Sequence, residues 1–483
     1  MSKLDPLLNP ACRSKKELLT LPKITIKIYY NNKQVRLLLS AINHAKHNLL
    51  KKLKAILMFC IIVDGYSTGA GLAKEFTKEG FECIHVQSQA SVPKVYNHTY
   101  NSNDYLEHYI FNGSAETLIE NLLKYAPDFV IAGAECGIEL ADHLAEALGL
   151  IGNGIALSSS RRNKYLMLER IKSCNLNVIP SCCASSLEEA TAWTDQQKPH
   201  TIIVKPLNSA GGEGVRICQS IKEIKEACNE IFATKINMLG FKNRRVLLQH
   251  YIGGKEFVVN TVSYDGMHKL CELWQYTRYK RPNGRQIYDT ATLIDYNPEL
   301  HKTVVDYAYK VINALGIKYG PAHVEIIANE KGCFLIELGA RLMGANLPFE
   351  LLSKCVSTSQ ALSTVTAYTK PGLFKQSLST PYKILQPLTA LFMVSNQEGI
   401  IERIDHIDDI RQCQSFFDIK LSLQTGDRIY NTIDYQTSPG MIYLSHHNQE
   451  QIDNDIKQIR ALEKNIFKLT DKQVLQNVTY YDM

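Results

Sequence analysis

TIIVKPLNSAGGEGVRIC, residues 201–218, is the stretch from which the rest of the chain is read. Two short apolar, β-branched runs, Thr201–Lys205 and Val215–Cys218, enclose Gly211, Gly212 and Gly214, which predicts a glycine-rich hairpin. Glycine lets a backbone bend tightly and approach a ligand, so successive N–H groups can face phosphate oxygens while Lys205 adds a point charge. The same pattern also suits an ordinary turn. The choice between the two rests on the stretches around it.

Downstream, Gly320-Pro321-Ala322-His323-Val324-Glu325-Ile326 and Cys333–Arg341 (CFLIELGAR) read as two strands joined by a turn at Asn329–Gly332. Antiparallel pairing sets Glu325 and Glu337 roughly opposite each other, and alternation puts His323 on the face of Glu325 while Val324 and Ile326 face the other side. Facing carboxylates repel unless a cation or proton intervenes, and magnesium favours one or two carboxylates supplemented by nucleotide phosphates. Arg341 supplies a planar cation just past the second strand. A surface salt-bridge patch fits poorly with carboxylates embedded in apolar strands. Between hairpin and glutamate pair, Val246–Ile252 (VLLQHYI) reads as a strand running into a connector whose backbone groups can read an adenine edge, and Glu256 can accept from ribose hydroxyls. Phe257–Ser263, Tyr264–Gly266 and Met267–Leu273 form a further hairpin.

Upstream, Ala55–Val63 (AILMFCIIV) is a continuous apolar run suited to a buried parallel strand. DGYSTGAG (64–71), a helix over about 72–79 and a strand near 83–86 complete a βαβ unit. The glycines imitate a dinucleotide fingerprint, but Lys74 stands where the third glycine belongs and no acid follows the second strand, which argues against a nicotinamide enzyme. A helix near 115–125, a strand at Phe129–Ala132 and a helix over 137–148 extend a doubly wound sheet. Ligands of such sheets sit beyond the carboxyl ends of strands, here the loops Asp64–Gly69 and Gly133–Gly137. Glu135 is a candidate substrate contact there, the alternative being a solvent-facing loop carboxylate. Ser158–Ser160 offers an N-cap for a helix running to about Ser173, with Arg161, Arg162 and Lys164 in its first turn. Cations there oppose the helix dipole and suggest a bound anion or an acidic neighbour. Lys164 is the candidate second phosphate ligand, with a solvated basic turn as the alternative.

A chain of 483 residues has room for roughly three domains. Its 45% hydrophobic and 21% charged residues are ordinary for a globular protein, and no apolar run approaches the ~20 residues of a membrane span. Thirteen cysteines without a C-x-x-C pair point to reduced thiols and a cytoplasmic setting. The net charge of +6 arises from a basic first segment, including Lys15, Lys16, Lys51, Lys52 and Lys54, and the remainder is slightly acidic. That segment lacks aromatic interleaving and any RNA-binding signature, so neither a nucleic-acid nor a membrane partner is expected.

RRNKYLM (161–167), IIVKPLNSAGGEGV (202–215), LLQHYIGGKEFVVNTVSYDG (247–266), GPAHVEI (320–326) and FLIELGARL (334–342), in this order, resemble the ATP-grasp superfamily, above all the bacterial L-amino-acid ligases of the bacilysin synthetase type. The resemblance runs from about residue 58 to near the end. It implies an α/β ATP-grasp fold: a basic extension over 1–54, a doubly wound pre-ATP-grasp domain over 55–157, an ATP-grasp domain over 158–380 with a lid at about 175–250, and an α+β C-terminal lobe over 381–483 serving packing and homodimer formation. Residues 1–50 are then expected to be dispensable, with Met58 a candidate alternative start. The implied site has Lys164 and Lys205 on ATP phosphates covered by Ser209, Gly211, Gly212 and Gly214. It places adenine against Gln249, His250, Tyr251 and Ile252, and ribose on Glu256. Two magnesium ions, replaceable by manganese, would sit on Glu325 and Glu337, and Arg341 with Glu337 would serve catalysis at an acyl phosphate. The implied reaction joins a carboxylate to an amine, both amino acids, at the expense of ATP. The alternatives are a non-catalytic ATP-binding module and a ligase for another carboxylate. Two departures stand out: Gly339 occupies a position where many ATP-grasp enzymes carry asparagine, and Gln249 replaces a frequent glutamate. The run that follows the arginine in biotin carboxylases is absent after Arg341.

Overall fold

The computed structural model describes residues 58–470, apart from 199, 282 and 283, together with the strands β1 (Glu17–Leu21) and β2 (Ile24–Ile28). The chain divides into two compact units, Met1–Met58 and Phe59–Met483. Within the first, the β-branched ITIKI run pairs antiparallel with ELLTL, Leu19 opposite Ile26. The rest of the basic segment 1–54 lies outside the described residues.

From residue 58 on the chain runs through β3 (Met58–Val63), α1 (Leu72–Lys78), β4 (Phe81–Gln87), β5 (Glu107–Ile110), α2 (Ala115–Leu123), β6 (Phe129–Ala132) and α3 (Ile138–Ala147). These strands form one sheet in the order β5-β4-β3-β6, parallel between β4 and β5 and between β3 and β6. The order reverses between β3 and β6, so the loops after those two strands are the crevice-forming ones, as their sequence position predicted. The glycines there serve close packing: a Cβ on Gly69 would lie 2.0 Å from the Gly133 carbonyl, and one on Gly133 2.6 Å from that of Asp64. That explains a fingerprint-like run without a dinucleotide.

The helix α4 (Lys164–Ser173) starts later than expected. Its cap is Asn163, whose side chain accepts from the N–H groups of Tyr165 and Leu166. Ser158 is instead buried and donates to Asp142, and 159–161 form a 3₁₀ turn. Arg161 and Arg162 therefore precede the helix.

A small antiparallel sheet follows, built of β7 (Ser181–Ala184), β8 (Ile202–Pro206), β9 (Arg216–Cys218) and β10 (Val246–His250) in the order β7-β10-β8-β9. The helices α5 (Leu187–Gln197) and α6 (Ile221–Ala233) cover it, burying Ala190, Ile224, Ala227 and Ile231 against Ile202, Val204, Val246 and Leu248. Alternation along β8 and β10 directs these side chains to the helices and leaves the opposite face free to line a cavity.

The largest sheet has eight strands: β11 (Lys255–Tyr264), β12 (Met267–Lys280), β13 (Gln286–Ile294), β14 (Gly320–Asn329), β15 (Gly332–Gly339), β16 (Leu388–Phe392), β18 (Phe416–Leu421) and β20 (Gly440–Ser445), ordered β15-β14-β11-β12-β13-β16-β20-β18. A short β17 (Gly399–Ile404) pairs with β19 (Arg428–Ile429) and with β21 (Phe467–Leu469). The main core lies under this sheet, where α7 (Pro298–Ala314) buries Val304, Ala308, Val311 and Ile312 against Val258, Val324, Ile326 and Leu335. The chain past residue 381 continues the same sheet through β16, β20 and β18. β19 is confined to Arg428–Ile429. The following residues turn instead, because the Thr437 hydroxyl accepts from the Ile433 N–H and the Asp434 carboxylate accepts from the Thr437 N–H. No helix among the described residues is long and apolar enough to cross a membrane.

Candidate functional site

Two adjoining cavities meet at the glutamate pair. The larger, of about 330 Å³, lies between the small sheet and the face of the large one. Lys164, Lys205, Ser209, Gly211, Gly212, Gln249 to Ile252, Glu256, Glu325 and Glu337 all reach it. The smaller, of about 100 Å³, is walled by the Ser67–Gly69 and Gly133–Glu135 loops, and Glu325 and Glu337 line it too, together with His323 and Arg341. Of the expected residues, Gly214 stands apart. It turns the chain in the left-handed region (φ +68°), and a Cβ there would meet Pro206, 3.1 Å away.

β14 and β15 are antiparallel as expected, and a bulge between Glu325 and Ile326 brings Glu325 directly opposite Glu337. Alternation buries Val324 and Ile326 and turns Glu325 towards the cavities, whereas in β15 a bulge breaks the alternation, so that Leu335 is buried while Ile336 and Glu337 both line the larger cavity. Lys164 at the start of α4 lies 2.7 Å from Glu337 and donates to the Ser209 carbonyl. The acidic neighbours of the basic run are thus present: Asp142 for Arg161, Glu135 for Arg162 and Glu337 for Lys164. Burial would raise the Glu337 carboxyl, but Lys164, Lys205 and Arg341 outweigh it and hold it at about 2. Lys205, ending β8, is buried, and burial followed by the charge of Lys164 lowers it to about 8.

The glycine-rich loop is held open by Gly211 (φ +62°) and Gly212 (φ +77°). A Cβ on Gly211 would lie 2.8 Å from Tyr435, whose N–H donates to the Gly211 carbonyl, whereas Gly212 faces open space. Sequence reading missed Glu213. Its carboxylate accepts from the Ser209 hydroxyl and from the Met238 N–H, tying the loop to the segment after α6. An acid inside a glycine-rich turn was the available signal.

Glu256 does not present a free carboxylate. Arg278 grips it with two hydrogen bonds of 2.7 and 2.5 Å and stacks 4.1 Å above Tyr288. Arg278 was also missed, because β12 carries a bulge between Thr277 and Arg278 that periodicity does not reveal. Gln249 uses its amide to donate to Ser181 of the neighbouring strand, fixing the connector that follows.

Glu135 is buried at the mouth of β6. Its Oε1 accepts from Arg162 (2.6 Å), and Arg341 Nε lies 2.9 Å from Oε2, off the hydrogen-bonding axis, so Oε2 retains an unused lone pair. Burial would raise this carboxyl, but Arg341 and Arg162 outweigh it and hold it below the usual range. The pair also accounts for Gly339: a Cβ there would lie 2.7 Å from Glu135 Oε2 and 3.1 Å from Arg341 Cζ. The space that an asparagine would need is filled by an ion pair.

Two carboxylates with lysines beside them suit a hard cation shared with phosphate oxygens. Among the described residues no three acidic, histidine or cysteine side chains converge on one point, so a magnesium ion here would draw most of its ligands from phosphate and water.

Comparison with known proteins bears on the family and the fold. The family model described as an ATP-grasp domain matches residues 198–348. Dapdiamide A synthase of Enterobacter agglomerans is 30% identical over 418 residues, covering 85% of this chain and 96% of that protein. The L-arginine-specific L-amino acid ligase of Bacillus subtilis is 20% identical over 359 residues, covering 73% of this chain and 83% of that protein. Among solved structures, the L-amino acid ligase from Bacillus licheniformis superposes with a TM-score of 0.68 at 18% identity, over 86% of this chain and 99% of that one, which establishes likeness of fold.

Proposed function

Because the chain belongs to the ATP-grasp superfamily, in its carboxylate–amine ligase branch, we propose that it joins two amino acids through an amide bond at the expense of ATP, with the two cavities dividing the labour. ATP lies in the larger cavity, adenine against the Gln249–Ile252 connector and ribose beside Glu256, whose orientation Arg278 fixes. Lys164, Lys205 and the backbone of Ser209–Gly212 take the phosphates. Glu325 and Glu337 hold the magnesium ions, two in number, which neutralise phosphate charge when bound. The amino acid to be activated lies in the smaller cavity.

In the first half-reaction a carboxylate oxygen of that amino acid attacks the γ-phosphorus and ADP departs. In the second, the amine nitrogen of the other amino acid attacks the acyl carbon, the carbon–oxygen bond to phosphate breaks, and the nitrogen gives up its proton as phosphate leaves. Protein groups act chiefly by positioning and charge neutralisation. Arg341 faces the acyl phosphate, and burial of the site excludes water that would hydrolyse it. The division into a pre-ATP-grasp domain, an ATP-grasp domain with its lid at about 175–250, and a C-terminal lobe follows the same reading, as does a homodimer.

The observation that carries this reading is the placement of Glu325 and Glu337 on the wall of both cavities, with Lys164 and Lys205 on the larger side and Arg341 on the smaller. A matrix of amino-acid pairs, assayed for phosphate release with mass detection of the dipeptide, tests it. Release of one phosphate per dipeptide supports the reading. ADP binding with no release for any pair identifies a binding module, and release only with other carboxylates identifies a different ligase.

A further inference from the structure

The two cavities are linked by a stretch that the reaction above does not use. Between α6 and β10, residues Asn237 to Phe241 fold into a turn that braces itself. The Asn237 side-chain oxygen accepts from the N–H groups of Leu239 (3.1 Å) and Phe241 (3.0 Å), the Gly240 N–H donates to the Asn237 carbonyl (2.9 Å), and the Asn237 N–H donates to the Phe241 carbonyl (2.8 Å). Asn237 and Leu239 are buried. An asparagine that bonds the backbone around it in this way holds a short segment together as one piece.

One flank of the turn meets the glycine-rich loop. Both carboxylate oxygens of Glu213 accept from the Met238 N–H, at 3.0 and 2.9 Å, and one of them also accepts from the Ser209 hydroxyl. Met238 in turn lines the smaller cavity. The other flank meets the loops that wall that cavity. Gln89 Nε2 donates to the Leu239 carbonyl (2.9 Å), and Phe241 packs against Tyr66 and Ala134, which belong to the loops after β3 and β6. The guanidinium of Arg162, which holds Glu135, stands 5.6 Å from the centre of the Phe241 ring.

One braced turn therefore touches the loop assigned to phosphate and the cavity assigned to the amino acid, and a single carboxylate fastens it to the former. Phosphate oxygens that draw the Ser209–Gly212 backbone around them fix Ser209, with it Glu213, and with Glu213 the position of Met238. An amino acid entering the smaller cavity then finds that wall already in place, and less freedom is lost on binding. We propose that Glu213 is a positioning residue that couples the two cavities, so that nucleotide in the larger one tightens the hold of the smaller one on its amino acid, and the reverse by the same factor. The inference rests on the assignment of nucleotide and amino acid to these cavities, not on bond formation between substrates.

The test is calorimetric titration of the full-length protein with each proteinogenic L-amino acid in turn, with and without saturating MgADP. An amino acid that binds the wild type should do so about tenfold more tightly when MgADP is present, within the range usual for coupled sites. Glu213→Ala should abolish that gain while still binding MgADP, which also shows that the variant is folded. Glu213→Gln keeps one acceptor oxygen at the same reach for the Met238 N–H and should retain part of the gain, a graded rescue that a merely structural role would not produce. Four results overturn the proposal: no gain in the wild type, the full gain in Glu213→Ala, a loss of MgADP affinity in that variant as large as the loss of amino-acid affinity, or no binding of any amino acid with MgADP present. Coupled binding without phosphate release for any pair strikes the ligase reading and leaves the coupling in place.

Discussion

Lys205→Met should make the nucleotide-free protein more stable while weakening its hold on ATP. The lysine is buried at the end of β8 beside the cationic Lys164, and burial first, that neighbour second, lower it from its ordinary 10.5 to about 8 despite the opposing pull of Glu337 and Glu325. At 1.36 kcal/mol per pH unit the difference corresponds to about 3 kcal/mol. Between pH 8 and 10.5 the unfolded chain keeps this proton and the folded one has released it, so wild-type stability rises with pH across that window and the full penalty is present below pH 8. Methionine keeps most of the length and carries no charge. The variant should therefore exceed the wild type by up to about 3 kcal/mol at pH 7, with the advantage shrinking as the pH approaches 10.5. Urea unfolding at several pH values measures this, and repeating it with MgADP measures the function. A wild-type gain of about 2.7 kcal/mol at a hundredfold excess of ligand over Kd should be largely missing in the variant. A Lys205→Met protein no more stable than wild type at pH 7 would refute the view that burial beside Lys164 destabilises this lysine and that phosphate relieves it.

The other predictions concern the groups around it. Arg341→Ala should reduce turnover by ~10²-fold with ADP affinity little changed; unaltered turnover would leave the arginine as a holder of Glu135 only. Glu337→Gln should shift the magnesium dependence of phosphate release to higher concentration, and a superimposable titration would remove Glu337 from the metal site. Lys164→Ala should weaken nucleotide binding yet strengthen binding of Mn²⁺ alone, since it frees Glu337 from a partner 2.7 Å away; weakening of both by calorimetry would contradict the pairing. Gly339→Asn should lower stability by about 1–3 kcal/mol through overpacking, because its Cβ would come within 2.7 Å of Glu135 Oε2, and a thermal melt equal to wild type would show that the ion pair moves aside.

What the sequence made legible was whatever depends on local pattern. The two strands and the short turn that bring Glu325 near Glu337 were legible, though counting back from the turn sets Glu325 opposite Ile336 and a bulge supplies the last step, while apolar runs gave β3, β6 and the loops that wall the smaller cavity. Partners brought together over long separations were not legible. Nothing local tells that Arg341 meets Glu135, that Glu213 accepts from Met238, or that Arg278 grips Glu256 past a β-bulge. The helix cap went to Asn163 rather than to Ser158 for the same reason: Ser158 is drawn into a buried bond with Asp142, a residue sixteen positions away. Gly339 read as a missing ligand, yet its meaning is steric and lies in the Glu135–Arg341 pair.

Those long-range pairs have a common logic. The site is a set of charges arranged against one another: Lys164 with Glu337, Arg162 and Arg341 with Glu135, Arg278 with Glu256. Buried charges are tolerable only when paired, so on the proposed reading Lys164, assigned to phosphate, and Glu337, assigned to metal, neutralise each other until ligands arrive. Neither ligand alone makes good use of that arrangement. A metal ion claiming Glu337 strands Lys164, and a phosphate claiming Lys164 strands Glu337 against further negative charge. When both arrive together each buried group exchanges one partner for another and no charge is left alone. If those roles hold, the Lys164–Glu337 contact biases the site against free metal and free nucleotide and in favour of the metal–nucleotide complex, without any further element needing to move.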